Sequence, residues 1–104
     1  MKRDRLPPLN SLRAFDAAVR HMSFQKAAQE LNVTPAALSY QIRQIEEDLG
    51  LKLFKRLNRA IELTHFGEII APGIRDGFDR FNQSIRKLSR HRAGDVLVIS
   101  AGPA

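Results

Sequence analysis

The stretch Ser23-Phe24-Gln25-Lys26-Ala27-Ala28-Gln29-Glu30-Leu31-Asn32-Val33-Thr34-Pro35-Ala36-Ala37-Leu38-Ser39-Tyr40-Gln41-Ile42-Arg43-Gln44-Ile45-Glu46-Glu47-Asp48-Leu49-Gly50 decides the fold. Ser23 is a candidate N-cap whose hydroxyl can accept a free helix N–H, and Phe24, Ala27, Ala28 and Leu31 then share one face of a first helix. Asn32 tolerates the left-handed conformation of a helix exit. Thr34-Pro35 restarts a helix at once, with Thr34 as N-cap and Pro35 at the first helical position. Val33 and Leu38 are spaced as a hydrophobic staple. Leu38, Ile42, Ile45 and Leu49 form the buried stripe of the second helix, and Gly50 ends it as a left-handed cap. Two helices joined by so tight a turn predict a helix-turn-helix.

At 100° per residue the opposite face of the second helix carries Ala36, Tyr40, Arg43, Gln44 and Glu47, with Ser39 on its flank. No acid occurs from Thr34 to Arg43, and Glu46, Glu47 and Asp48 gather at the far end. A helix entering a polyanion N-terminus first would hold those acids away from phosphate, which is how a DNA recognition helix is built.

Upstream, a helix is expected from an Asn10 N-cap to about Arg20, with Leu12, Phe15, Ala18 and Val19 on one side and His21 at its end. Residues 1–8 read as a basic arm, because Lys2, Arg3 and Arg5 outweigh Asp4 and Pro7-Pro8 keep helix from starting earlier. Downstream, Leu51, Leu53, Ile61 and Leu63 alternate with polar or small residues, the period of a two-stranded ribbon with Leu57 to Ala60 as its turn. Lys52, Lys55, Arg56 and Arg59 charge this ribbon before any acid appears. A basic hairpin directly after a recognition helix is the wing of a winged helix-turn-helix. Arg59 at its tip suits a narrow minor groove, while Lys55 and Arg56 suit phosphate.

Thr64 is expected to cap a long helix from His65 to about His91. Phe66, Ile70, Ile74, Phe78, Phe81, Ile85 and Leu88 recur along it at steps of four and three, an apolar stripe too long for a small domain to cover. A second copy packed across a two-fold axis would cover it, so a homodimer is expected. Pro72, with Gly67, Gly73 and Gly77 nearby, is expected to bend or break this helix. Val96 to Ile99 is a short apolar run of the kind found in parallel sheets, so residues 93–104 read as the start of a further α/β domain. The expected fold is therefore mainly α, a winged helix-turn-helix over residues 9–63 followed by a dimerisation helix over 64–92.

The 104 residues, 43% of them hydrophobic, allow one modest core. Seventeen basic against eleven acidic residues give a net charge of +6, which favours an anionic partner. The absence of cysteine excludes disulfides and thiolate chemistry. No apolar run is long enough to span a membrane, and the charged start is followed by prolines instead of a signal region, so a soluble protein not secreted by this route is expected, and with DNA as its partner a cytoplasmic, nucleoid-associated one. His21, His65 and His91 are scattered without a matching serine or carboxylate pair, and no glycine-rich phosphate loop follows a strand. Neither an enzyme nor a bound metal or cofactor is therefore expected. A single tyrosine offers no platform for stacking RNA bases. The competing reading is a winged-helix protein-interaction module that dimerises through the long helix.

The signatures Leu9-Asn10-Ser11-Leu12-Arg13-Ala14-Phe15, Ser23-Phe24-Gln25-Lys26-Ala27-Ala28, Leu38-Ser39-Tyr40-Gln41-Ile42-Arg43 with Ile45-Glu46, Leu49-Gly50, Leu53-Phe54-Lys55-Arg56 and Leu63-Thr64 with Gly67 resemble the N-terminal part of a LysR-type transcriptional regulator, over essentially the whole chain. Leu6-Pro7-Pro8-Leu9-Asn10 and Ala17-Ala18-Val19-Arg20-His21-Met22-Ser23-Phe24 further resemble the subgroup containing the glycine-cleavage activator and the β-lactamase regulators. The resemblance implies a bacterial, double-stranded DNA-binding regulator, an antiparallel dimer through the linker helix and a tetramer at full length. It also implies a small-molecule effector bound in a further domain, with RNA polymerase as another partner. Family DNA contacts carried onto matching positions fall on Pro35, Ala36, Ser39, Tyr40, Arg43, Arg56 and Arg59. With Lys55 and the two capping hydroxyls of Ser23 and Thr34 these complete the candidate DNA-binding set.

Two departures stand out. Many members carry Arg where Tyr40 stands and Gln where Pro35 stands, so a different base preference is expected. Tyr40 suits a thymine methyl or a phosphate, and Arg43 is the residue on this face able to bond guanine bidentately. The turn Leu57-Asn58-Arg59-Ala60 lacks the family's common wing glycine, and Asn58 is expected to take the left-handed conformation in its place.

Overall fold

Pro8, ahead of Asn10, sets the start of the first helix, α1 (Leu9–His21). Its carbonyl accepts the N–H groups of Ser11 and Leu12 at 3.1 Å each. The fully buried Ser11 hydroxyl also donates to it at 2.8 Å. The buried hydroxyl needs a partner, and the proline carbonyl is the one within reach, so Asn10 lies inside the helix and caps nothing. The structure, a computed structural model, describes residues 6–94. The charged part of the expected arm and the Val96 to Ile99 strand lie outside the described residues.

α2 (Phe24–Leu31) and α3 (Pro35–Leu49) begin and end as the local chemistry predicts. The Ser23 hydroxyl accepts the Lys26 N–H at 3.1 Å, and that of Thr34 accepts the Ala37 N–H at 3.0 Å. Asn32 and Gly50 close the two helices in left-handed conformations, at φ 64° and 73°. α1 is also closed by a left-handed residue, Met22 at φ 48°, a conformation that costs a non-glycine residue about 1 kcal/mol or more. The three helices pack pairwise around Leu12, Phe15, Ala18, Ala28, Leu38, Ile42 and Ile45.

The hairpin pairs β1 (Phe54–Arg56) with β2 (Ile61–Leu63), antiparallel, with Phe54 opposite Leu63, Lys55 opposite Glu62 and Arg56 opposite Ile61. The expected ribbon from Leu51 starts later because the preceding N–H groups are committed to α3. Gly50 and Leu51 donate to the Glu46 carbonyl at 2.8 and 3.1 Å. Leu53 and Phe54 donate to the Glu46 side-chain Oε2 at 2.8 and 3.2 Å. Glu46 is thus buried and turned inward instead of standing with Glu47 and Asp48 at the outer end of the helix. The Leu57 N–H bonds the Ala60 carbonyl at 2.8 Å across a four-residue turn. Asn58 is not left-handed in that turn: Met22 and Asn32 are the positive-φ residues other than glycine among the described residues.

α4 (His65–Gly94) is uninterrupted. Pro72 lies inside it and forfeits one N–H bond, and of the expected bend or break the break does not occur: the helix continues through this single loss. The Thr64 hydroxyl caps it, accepting the Gly67 N–H at 3.1 Å and donating to the Lys52 carbonyl at 2.7 Å. Gly67 is held by contact rather than by flexibility, since a Cβ there would stand 2.4 Å from the Leu53 carbonyl oxygen and 2.7 Å from the Leu63 Cδ2. The chain divides within α4 into two units, Met1–Ile74 and Arg75–Ala104. In the first, Phe66 and Ile69 are exposed and Ile70 and Ile74 are half-buried. In the second, Phe78 packs perpendicular to Phe81 at 5.7 Å, and Phe81, Ile85 and Leu88 are each more than half exposed.

Candidate nucleic-acid interface

Because α3 is anchored by Leu38, Ile42 and Ile45, its other face is presented outward. Pro35, Ala36, Tyr40 and Arg43 are exposed there, and Ser39 is half-buried on the flank. The capping hydroxyls of Ser23 and Thr34 each accept a helix N–H, which leaves each hydroxyl proton available for donation to an acceptor outside the helix. A face of small residues, one phenol and one guanidinium, without a carboxylate from Thr34 to Arg43, can approach an anionic surface and bond its edges.

Arg43 also joins this face to the hairpin. It lines a groove of about 500 Å³ together with Glu46, Lys52, Phe54, Lys55, Arg56 and Thr64. A smaller groove of about 210 Å³ runs from Arg43 past Glu47 and Gly50 to Lys52. Four cations therefore line the larger groove, and its one carboxylate is already bonded to two backbone N–H groups. Lys52, part of the charge run of the wing in sequence, also belongs to this group. Its signal was its position in the acid-free segment before Glu62. Lys55 Nζ lies 3.6 Å from the Glu62 carboxylate across the hairpin, an exposed pair worth little. No carboxylate pairs with Arg43, Arg56 or Arg59 among the described residues. Arg59 stands in the turn and lines neither groove.

The frame behind this face is fixed by ion pairs between α1 and α2. Arg20 donates to both oxygens of Glu30, at 2.8 and 2.5 Å, and through Nε to Asp16 at 3.1 Å, while His21 Nε2 lies 2.7 Å from Glu30. The Arg20 hydrogen bonds, assisted by that of His21, lower the Glu30 carboxyl to about 2. The folded form therefore gains stability from the Glu30 charge, fully present above the ordinary carboxylate range and lost as pH falls from about 4.5 through about 2. The pair is a third exposed, so solvent screening reduces the contribution to about 1 kcal/mol. Thermal melts between pH 7 and pH 2 should show Glu30→Gln losing its disadvantage against the parent at the acid end. A constant gap across that range would dismiss the charge as the source.

Residues 9–68 match the family model described as "Bacterial regulatory helix-turn-helix protein, lysR family". The chain is 49% identical over 100 residues to the glycine cleavage system transcriptional activator of Escherichia coli (strain K12), covering 96% of this chain and 33% of that protein. It is 49% identical over 94 residues to the HTH-type transcriptional activator AmpR of Pseudomonas aeruginosa, covering 90% of this chain and 32% of the relative. The chain thus spans about a third of the length of the curated relatives it matches. Among solved structures, the BenM_DBD/catB site 1 DNA complex is similar at a TM-score of 0.72 and 32% identity, over 80% of this chain and 93% of that one.

Proposed function

The chain belongs to the lysR family of bacterial regulatory helix-turn-helix proteins, and from that premise we propose that it is a sequence-specific double-stranded DNA-binding transcription regulator that docks as a homodimer on a pseudo-palindromic operator. The observation that carries this reading is the outward face of α3, exposed at Ala36, Tyr40 and Arg43 and free of any carboxylate through its first two turns. The Arg43 guanidinium reads guanine bidentately in the major groove, and Tyr40 packs on a thymine methyl or bonds a phosphate. Lys55 and Arg56 hold the backbone, and Arg59 enters the flanking minor groove. The exposed Phe81, Ile85 and Leu88 are the surface a second copy covers. The effector site, the tetramer contacts and the approach to RNA polymerase belong, in this reading, outside the span described, which matches about a third of its curated relatives' length.

The test is selection of bound duplexes from a random pool by this chain at near-physiological salt. An enriched inverted repeat with half-sites a whole number of helical turns apart supports the reading, and retention without enrichment leaves only a basic, non-specific binder. On the selected duplex, Arg43→Ala is expected to cost about 1–3 kcal/mol and to relax preference at one base position. Equal losses on selected and random duplex would remove its base-reading role.

A further inference from the structure

The hairpin carries three cations past its first strand residue, and the structure treats them differently. Lys55 faces Glu62, and Arg59 stands in the turn. Arg56 pairs with no carboxylate among the described residues, yet its guanidinium carbon lies 4.8 Å above the centroid of the Phe24 ring. That ring is in turn perpendicular to Phe54, at 5.3 Å and 88°. Phe54 packs against the fully buried Phe15 at 5.5 Å. Phe54 and Arg56 are two residues apart in β1, so they leave the strand on the same side, and both reach the same ring. A chain of contacts therefore runs from the core of α1 through the strand and the first residue of α2 to a charge at the surface.

We infer that Phe24 is a positioning residue for phosphate binding, holding the Arg56 guanidinium in place before duplex DNA arrives. The inference rests on the DNA-binding reading above and specifies how one of its contacts is prepared. An exposed arginine loses much rotamer freedom when a phosphate immobilises it. A guanidinium already stacked on a ring that is itself fixed by Phe54 has lost part of that freedom in the free protein, so less is lost on binding. The flat guanidinium keeps its N–H edges available while its face is occupied, which an ammonium group on the same ring would not do as well. Phe24 also follows Ser23 directly, so the ring that orders Arg56 belongs to the residue that starts α2. The hairpin and the helix-turn-helix thereby present their charge in a fixed relation.

Two measurements test this on the 104-residue chain. In the free protein, the Arg56 Nε–H signal in NMR relaxation should be markedly more ordered than that of Arg59, and shifted by the ring current. Phe24→Tyr should keep both properties, and Phe24→Leu should lose both. Mobility of Arg56 equal to that of Arg59 in the parent overturns the inference whether or not DNA binds. In binding, Phe24→Leu should weaken selected and random duplexes alike, by roughly twofold to fivefold, and should have no further effect in the Arg56→Ala background. The same factor in both backgrounds overturns the inference, because the ring would then act through the fold. Where melts show Phe24→Leu unfolded, the comparison of Phe24→Tyr with the parent decides, with lost Arg56 order despite a retained ring counting against the proposal. Failure of the parent to bind any duplex would refute the DNA reading alone, since the NMR arm needs no DNA.

Discussion

Glu46→Ala should lower the stability of the chain by about 2–5 kcal/mol, because it strips the acceptor from two buried N–H groups, those of Leu53 and Phe54. For a domain of this size that corresponds to a fall in Tm of roughly 10–30 °C, a large part of a typical total stability. The loss falls on the link between α3 and the hairpin, and the adjoining backbone cannot compensate because Gly50 and Leu51 already use the Glu46 carbonyl. Glu46→Gln separates shape from charge. Its amide oxygen can still accept both N–H groups, so its cost should stay within about 1–2 kcal/mol. Lys52 Nζ, 3.8 Å away and largely exposed, contributes little to the difference. Thermal and denaturant melts of the three proteins decide the matter, and an alanine variant as stable as the parent would mean that the carboxylate does not hold the wing.

Gly67→Ala should also destabilise, by about 1–3 kcal/mol, although alanine is the better helix former by about 1 kcal/mol. The added methyl would meet the Leu53 carbonyl oxygen at 2.4 Å. That oxygen has nowhere to retreat: it accepts the Thr64 N–H at 2.9 Å, the Leu53 N–H is bound to Glu46, and the Leu53 side chain is fully buried. Gly73 in the same helix has no atom within 4 Å of such a methyl, so Gly73→Ala should be neutral or stabilising by up to about 1 kcal/mol. If the two variants melt alike, close packing at Gly67 is not what selects glycine there.

The parts of this fold legible in the sequence are those whose chemistry is local. Ser23, Thr34, Asn32 and Gly50 each act on a backbone group within a few residues, so type and spacing identify the helix starts and stops. The exposed face of α3 followed from the same periodicity that located its core. Sequence groups Glu46 with Glu47 and Asp48, because nothing in its neighbours tells that its carboxylate serves amides seven and eight residues on. The left-handed Met22 carries no signal either, since methionine has no preference for that region and the packing of α1 against α2 imposes it. Gly67 was visible as an anomaly in a helix, but its cause lies in a carbonyl from before the hairpin. Asn10 shows the opposite case, a residue of the right type displaced by a proline carbonyl already serving a buried serine. The Arg56 contact with Phe24 joins residues far apart in the chain, and only the packing of Phe54 against Phe15 and Phe24 brings them together.

The bonds that meet at Leu53 and Thr64 also bear on how such proteins can be recombined. Thr64 is the last residue before a long helix, the position at which a chimera exchanging one such helix for another is most simply joined. Yet its hydroxyl bonds Lys52 and Gly67 at once, and Gly67 seats against Leu53. A graft at that position would replace part of the first unit's own interior with foreign sequence. The splice that leaves the first unit intact lies two helical turns or more downstream, at the division after Ile74, so that the first turns of α4 travel with Leu53 and Thr64.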